Sequence, residues 1–196
     1  MNVKRIAALL LSALLALAAA IPAAAEYDTE VNYMERMISA AVSGDAEAGA
    51  AAEKSRNEKI DAVCPEFAKI SYTDLCLLAK IIYAEAGSEW LPDEWKFCVG
   101  EVVMNRVASP EFPDTVAAVL AQPGQYYGPH SRYFQSIRPD ARHLAIAARL
   151  LGGERHMVPS VVFQANFPQG GGTYLRLTDR VLGNTYLCFS SRPGLY

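Results

Sequence analysis

The sequence has few histidines and cysteines and no excess of positive charge. Its 196 residues include 3 His and 4 Cys, and 18 Lys and Arg stand against 21 Asp and Glu, a formal net charge of −3. Nucleic-acid binding needs clustered cations that neutralise phosphates, so this balance argues against that class. No Cys-x-x-Cys, His-Glu-x-x-His or Gly-x-Ser-x-Gly pattern occurs, which leaves a zinc site, a zinc peptidase and a serine hydrolase without support. We predict no metal, no cofactor and no nucleic-acid partner.

Long hydrophobic runs are also missing, except for one near the start. Lys4 and Arg5 precede an apolar run over residues 6–20, and three alanines follow at 23–25. The run is shorter than the roughly 20 residues that a membrane-spanning helix needs, and the pattern is typical of a secretory signal. We predict that residues 1–25 are a cleaved signal peptide; the alternative is an uncleaved membrane anchor. Cleavage would leave an exported chain of net charge −5 that is not stably inserted in a membrane. We expect this chain to be a monomer.

Export affects the interpretation of the four cysteines. Cys64, Cys76, Cys98 and Cys188 are disulfide candidates because disulfides persist in oxidising compartments. If Cys76 and Cys98 lie on antiparallel helices, they are offset by roughly 7 Å along the helix axis, too far for a good bridge. This disfavours the pairing 76–98 with 64–188. The two other pairings stay open, as do free thiols.

The remaining chain divides into two parts by composition and hydrophobic period. In residues 26–70 a helical apolar spacing over 31–41 is broken at Gly44, and residues 46–60 are rich in Ala, Glu and Lys, which predicts a helical hairpin. We interpret it as a packing or spacer element, with docking to a partner as the alternative. Residues 71–196 begin with helical patterns and end with strand patterns, which predicts an α+β fold. The expected helices cover 71–87, the region around 95–103, 115–121 and 139–152, and the expected strands cover 161–167, 174–177 and 186–189.

Glu85 departs from the apolar pattern of its helix. Leu75, Leu78 and Ile82 form one stripe, and the position three residues further is a carboxylate. Burial disfavours the ionised form of a carboxyl, and so does the negative end of a helix dipole. Both effects would keep Glu85 protonated near neutral pH, as a general acid requires. The alternative is a frayed helix end with Glu85 in water.

Aromatic and amide side chains recur around Glu85 and in the later strands. Ring faces can stack on the C–H surfaces of a sugar, while amides donate to and accept from its hydroxyls. The candidates for such binding are Tyr83, Asn105, Gln125, Tyr126, Gln164 and Asn166. Core packing or simple surface exposure is the alternative for most of the tyrosines.

Several blocks of residues stand out between residues 74 and 190. They are 78–87 (LAKIIYAEAG), 99–107 (VGEVVMNRV), 112–115 (FPDT), 122–126 (QPGQY), 162–167 (VFQANF) and 182–184 (LGN). In order and spacing these blocks resemble the SleB/CwlJ-type cell wall hydrolases, and the resemblance covers about residues 74–190.

This resemblance implies a lysozyme-like α+β catalytic domain over residues 71–196, acting on peptidoglycan glycan strands in the cell wall or spore cortex. It implies cleavage of the β-1,4 bond between MurNAc and GlcNAc, with Glu85 as the catalytic acid. A lytic transglycosylase that forms 1,6-anhydro-MurNAc needs only this one carboxylate. The alternatives are a hydrolytic muramidase, which needs a second carboxylate, and a non-catalytic wall-binding protein.

Candidates for a second carboxylate are Glu89, Asp93, Glu101 and Asp114. None of them is compelling, and this favours the transglycosylase. The sequence departs from the family at Thr185, where the family often has His, and in the stretch that follows Tyr126. His130, His143 and His156 are evenly spaced, but their predicted elements differ, so we expect no metal site from them.

Overall fold

The structure, a computed structural model, describes residues 32–63, 70–126 and 130–196. The predicted signal peptide and Cys64 lie outside the described residues. Within those residues, no helix has the length and apolar character needed to cross a membrane.

Helices come first in the described chain and strands follow, and this order confirms the α+β class. The helices are α1 over 32–43, α2 (Ala46–Val63), α3 (Tyr72–Ala86), α4 (Asp93–Ala108), α5 (Val116–Leu120), α6 (Arg132–Ser136) and α7 (Ala141–Leu151). The strands are β1 (Val161–Ala165), β2 (Thr173–Asp179) and β3 (Gly183–Phe189), and a 3₁₀ turn covers Pro193–Leu195.

Side-chain caps explain where several helices begin. Ser71 Oγ accepts the backbone N–H groups of Thr73 and Asp74 at the start of α3. Asp140 does the same at the start of α7, where it accepts from the His143 N–H at 3.1 Å. Such caps satisfy donors that have no partner within the helix. Ser131 caps α6 in the same way, a five-residue helix that the hydrophobic period did not predict.

The three strands form one antiparallel sheet in the order β1–β3–β2. β2 and β3 extend beyond their predicted bounds, because their ladder continues through Asp179 opposite Gly183. β1 is shorter than predicted and ends at Ala165, so Asn166 lies just outside the sheet.

Helix α4 lies at the centre of the molecule and contacts α3, α7 and β1. A Cβ atom at Gly100 would lie 2.7 Å from Ile82 Cδ1 of α3 and 2.5 Å from Leu150 Cδ1 of α7. Real Cβ atoms do not approach other atoms this closely, so glycine permits the close approach of the three helices.

The first two helices share the core of the rest of the chain. Met37 of α1 and Ala52 of α2 belong to the same buried cluster as Leu75 of α3. Glu53 also accepts a 2.8 Å hydrogen bond from the backbone N–H of Tyr72. The α1–α2 segment is therefore packed against α3.

The sheet is attached to α4 and to the end of α3 through two small apolar clusters. Val102 of α4 packs with Val161 of β1 and Leu187 of β3. On the other side, Leu177 of β2 packs against the cluster that contains Ala86 and Leu91. This second contact puts the sheet beside the C-terminal end of α3, where Glu85 lies.

The structure contains no disulfide among the described residues. Cys76, Cys98 and Cys188 are free thiols, so the expectation of bridges is not met for these three. Cys188 is buried in β3, where its cross-strand neighbours are Phe163 and Thr173 rather than cysteine. Burial raises the pKa of the Cys98 thiol to about 11, which keeps this thiol protonated and weakly reactive.

Gly170 provides a test of the loop between β1 and β2. It adopts a left-handed conformation with φ of 60°, and an added Cβ would overlap the carbonyl oxygen of Phe189 and approach the Phe163 ring. We expect Gly170→Ala to lower the free energy of unfolding by about 2–4 kcal/mol in urea denaturation. Gly183→Ala is the matched control: its φ is 76° but its Cβ would meet nothing within 4 Å, so about 1 kcal/mol is expected. Equal losses for the two variants would contradict the packing described here.

Candidate active site

Glu85 lies in the last turn of α3 with its side chain exposed to solvent. The apolar stripe continues from Ile82 to the buried Ala86, four residues on, and not to residue 85 as the sequence suggested. Glu85 therefore sits at the edge of the stripe instead of within it.

The Glu85 carboxyl is nevertheless partly desolvated. Its pKa is raised above the ordinary range for Glu, and desolvation by the surrounding protein is the cause. The carboxyl is therefore accessible to water while protein atoms surround part of it. Among the described residues no cation is within ion-pair distance of it, so no nearby positive charge counteracts the desolvation. This is the environment in which a carboxyl can act as a proton donor.

A buried lysine fixes the backbone that follows Glu85. Lys96 of α4 is fully buried, and its Nζ donates to the carbonyl oxygen of Ala86 and, at 2.8 Å, to that of Ser88. Burial lowers the pKa of this ammonium group. The bonds satisfy carbonyls that have no partner at the end of a helix. Lys96 was not predicted from the sequence, where its position between the aromatic residues Trp95 and Phe97 was the available signal.

Tyr126 is the sequence-predicted aromatic residue that the structure brings close to Glu85. Burial raises the pKa of its phenol, the positive charge of Arg106 lowers it, and the negative charge of Glu85 raises it further. The phenol is therefore within electrostatic reach of both groups. Gln125 precedes it as an exposed residue of the same turn.

Tyr83 and Asn105 have structural contacts instead. Tyr83 is two residues from Glu85, about 200° around the helix, and its ring packs edge-on against His143 of α7 with centroids 5.1 Å apart. Asn105 is buried, and its amide nitrogen donates to the carbonyl oxygens of Val158 and Val161 at 3.2 and 3.1 Å. These contacts join α4 to β1, so we interpret Asn105 as a residue that holds the sheet.

The amides of the strand region lie at the sheet and beyond it. Gln164 is half-buried in β1 opposite Leu187, and Asn166 is exposed after the end of the strand. Thr185 is half-buried in β3 opposite Leu177. Within the described chain, no hydrogen bond joins Gln164 or Asn166 to Glu85.

The four candidates for a second carboxylate have different environments. Glu101 is fully buried, and its Oε1 accepts the backbone N–H groups of His156 and Met157 at 2.8 and 2.7 Å. Asp93 forms an ion pair with Arg142. Glu89 and Asp114 are exposed. Glu101 and Asp93 therefore have structural partners.

The histidines are separated, as their predicted elements indicated. His143 is buried and bonds through Nδ1 to Asp140 at 2.7 Å, while the His156 ring stacks on Phe97 with centroids 4.2 Å apart. His130 is exposed. A search of the described residues finds no group of three or more His, Cys, Asp or Glu that could hold a metal ion.

The two bonds of Glu101 predict different effects of two substitutions. Glu101→Leu leaves two buried N–H groups without an acceptor, and we expect the free energy of unfolding to fall by about 2–4 kcal/mol. Glu101→Gln keeps an oxygen at the accepting position, so a loss below about 1 kcal/mol is expected. Urea denaturation measures both. An equally large loss in Glu101→Gln would show that the carboxylate charge, rather than the acceptor, is what the fold requires.

The raised pKa of Glu85 predicts that this residue lowers stability at neutral pH. The folded chain binds the Glu85 proton more tightly than the unfolded chain, where the pKa is about 4.3. The ionised form therefore costs stability once the pH rises through the folded pKa, and the cost is absent below the unfolded value. We therefore expect the Tm of Glu85→Gln minus that of wild type to be more positive at pH 7 than at pH 4.

Glu94→Gln is the control for this measurement. Glu94 is also near the end of α3 in the chain, but it is exposed on the first turn of α4. Glu94→Gln removes one exposed carboxyl away from Glu85, so the change between pH 4 and pH 7 is compared between the Glu85→Gln and Glu94→Gln variants. A Glu85→Gln difference that does not change with pH would contradict the desolvated environment.

Comparisons with known proteins agree with the sequence blocks. Residues 92–169 match the Hydrolase_2 family model, described as Cell Wall Hydrolase. Over 53 residues the chain is 42% identical to the Spore cortex-lytic enzyme of Bacillus subtilis (strain 168); this match covers 27% of the chain and 17% of that relative. No solved structure gives a significant match. The matches confirm the resemblance to this family, and the family model leaves out the block 78–87, which contains Glu85, and the block 182–184.

Proposed function

We propose that this chain is an exported cell wall hydrolase of the SleB/CwlJ type, a lytic transglycosylase that cleaves the MurNAc–β-1,4–GlcNAc bond of peptidoglycan with Glu85 as general acid and base. The observation that carries the proposal is the environment of Glu85: its carboxyl is exposed to solvent, yet desolvation raises its pKa and no described cation pairs with it. A substrate can reach such a group, and the group can still hold a proton at a pH where an ordinary Glu is ionised.

The reaction follows from a single carboxyl. Glu85 donates its proton to the glycosidic oxygen, and the bond from that oxygen to C1 of MurNAc breaks. The C6 hydroxyl oxygen of the same MurNAc then bonds to C1, and the hydroxyl proton passes to the Glu85 carboxylate. The product is a 1,6-anhydro sugar, no water is consumed, and Glu85 is protonated again for the next cycle.

The surroundings of the other carboxylates favour this route over hydrolysis. Glu101 is fully buried and accepts two backbone N–H groups, and Asp93 pairs with Arg142, so both have structural roles. Glu89, one turn beyond Glu85 and exposed, is the remaining nearby candidate for a muramidase. A retaining hydrolase would need it about 5 Å from Glu85, and an inverting one 6.5–9.5 Å away.

The proposal includes a lysozyme-like architecture over residues 71–196 and a helical hairpin over residues 26–70. An acid at the end of a helix beside a small antiparallel sheet supports the first part. The turn at Gly44, which has φ of 77° between α1 and α2, supports the second.

Tyr126, Gln125, Gln164 and Asn166 are the proposed glycan contacts, and Tyr83 and Asn105 are left out of this set because of their packing. Extracytoplasmic action at the cell wall or spore cortex, as a monomer, completes the proposal.

Digestion of purified sacculi tests the proposal directly. Wild-type protein should release muropeptides that end in anhydro-MurNAc, as identified by mass spectrometry. Glu85→Gln should lose at least about 100-fold in rate because a neutral amide cannot donate the proton. Glu94→Gln is the matched control and should retain the wild-type rate. A fully active Glu85→Gln would refute the role of Glu85.

The same experiment separates the alternatives. Reducing ends without anhydro sugar, together with loss of activity in Glu89→Gln, would indicate a hydrolase. Sedimentation of the wild-type protein with sacculi and no release of fragments would indicate a wall-binding protein. The rate should also fall as the pH rises through the raised pKa of Glu85, since only the protonated carboxyl starts the reaction.

A further inference from the structure

Arg106 is a buried cation that the proposed reaction does not use. Its side chain is 2% exposed. Its Nε donates to the carbonyl oxygen of Val162 at 2.6 Å, whereas Nη1 has no hydrogen-bond partner in the described part of the chain. No carboxylate of the described residues forms an ion pair with it. An unpaired buried charge is costly, so its surroundings must stabilise it in another way.

Three aromatic rings supply that stabilisation. The Arg106 Cζ atom lies 5.0 Å from the ring centroid of Phe112, 5.2 Å from that of Tyr126 and 5.8 Å from that of Phe163. The negative face of an aromatic ring attracts a cation, most strongly where water is excluded. The rings belong to three separate segments: the turn after α4, the turn after α5, and β1. One guanidinium group therefore joins all three segments to α4.

Tyr126 connects this aromatic cage to the candidate acid. Its ring contacts Arg106, and its phenol interacts electrostatically with both Arg106 and Glu85. The phenol is thus within electrostatic reach of a buried cation and of the proposed proton donor. A change at Arg106 can reach Glu85 through this ring without any direct contact between the two residues.

We infer that Arg106 is a positioning residue, whose contact with the Tyr126 ring fixes this phenol beside Glu85 at the site of glycan cleavage. This inference rests on the proposed function and extends it. Tyr126 then presents a fixed hydroxyl to the substrate next to the carboxyl that donates the proton. A lysine could supply the charge but not the flat guanidinium surface that contacts three rings.

A measurement that does not depend on activity tests the contact first. Protein labelled with ¹³C at tyrosine Cζ gives a Tyr126 signal, which Tyr126→Phe assigns by its disappearance. In Arg106→Met this phenol should titrate at a higher pH than in wild type, because the opposing cation is gone. In Glu85→Gln it should titrate at a lower pH. A Tyr126 signal that Arg106→Met leaves unchanged would overturn the inference.

Arg149→Met is the matched control. The Arg149 guanidinium also lies 5.0 Å from a ring centroid, that of Phe97, but it is half-exposed and paired with Glu154. Its loss should leave the Tyr126 signal and the sacculus activity at wild-type values. If Arg106→Met does not fold, Arg106→Lys replaces it, with a smaller shift of the Tyr126 titration in the same direction expected and no shift overturning the inference.

A double-mutant cycle then separates positioning from general packing. On soluble glycan strands Arg106→Met should lower kcat about tenfold with KM within about twofold of wild type. In a Tyr126→Ala background, the same substitution should cause no further loss of kcat, because its effect passes through Tyr126. Losses that multiply would mean that Arg106 acts independently of Tyr126 and would overturn the inference. Wild-type protein without any glycan cleavage would refute the proposed function instead, and the tyrosine titration would still decide the contact.

Discussion

The structure depends on the hydrogen bonds that buried polar side chains of α4 form with the backbone of other segments. This helix is buried on nearly all sides, yet it carries a lysine, a glutamate, an asparagine and an arginine that are each at most 3% exposed. Each of these side chains bonds to the backbone of another segment: Lys96 to the end of α3, Glu101 to the loop before β1, and Asn105 and Arg106 to the start of β1. A buried donor or acceptor without a partner lowers the free energy of unfolding. The contacts of these four side chains therefore fix α3, the loop and the sheet relative to one another.

That arrangement explains why a buried cation at the end of α3 leaves the pKa of Glu85 raised. The Lys96 ammonium faces the carbonyl oxygens of Ala86 and Ser88, where it opposes the negative end of the α3 dipole. An ion pair between Lys96 and the Glu85 carboxyl would favour the ionised form and lower its pKa. The carbonyls hold the ammonium instead, and desolvation is left as the cause of the shift at Glu85. The helix end is stabilised without loss of the acid.

Local signals in the sequence predicted much of the fold. The helix expected from residue 71 does begin there, where the Ser71 hydroxyl accepts the N–H groups that lack helical partners. The change from a helical to an alternating period after residue 152 predicted the antiparallel sheet. The sequence also identified Glu85 as unusual, although by an incorrect spacing: the stripe steps by four residues from Ile82 to Ala86, since 3.6 residues per turn allow either step. Helix α6 was not predicted because its five residues are too few to show a helical hydrophobic period.

The rest of the site depends on contacts between distant parts of the chain, which periodicity does not specify. Asn105 and Arg106 are neighbours on one helix and are equally buried, yet one amide bonds to strand carbonyls while the guanidinium reaches rings from three segments. A tyrosine is suited to packing and to sugar binding alike, and its role depends on which residues it contacts. The Tyr83 ring packs against His143, whereas the Tyr126 ring packs against Arg106. The useful signal for such sites is a polar residue on a helix that is otherwise apolar on every side. On α4 that signal selects Lys96, Glu101, Asn105 and Arg106, because a helix buried all round can keep a polar side chain only where another segment supplies its partner.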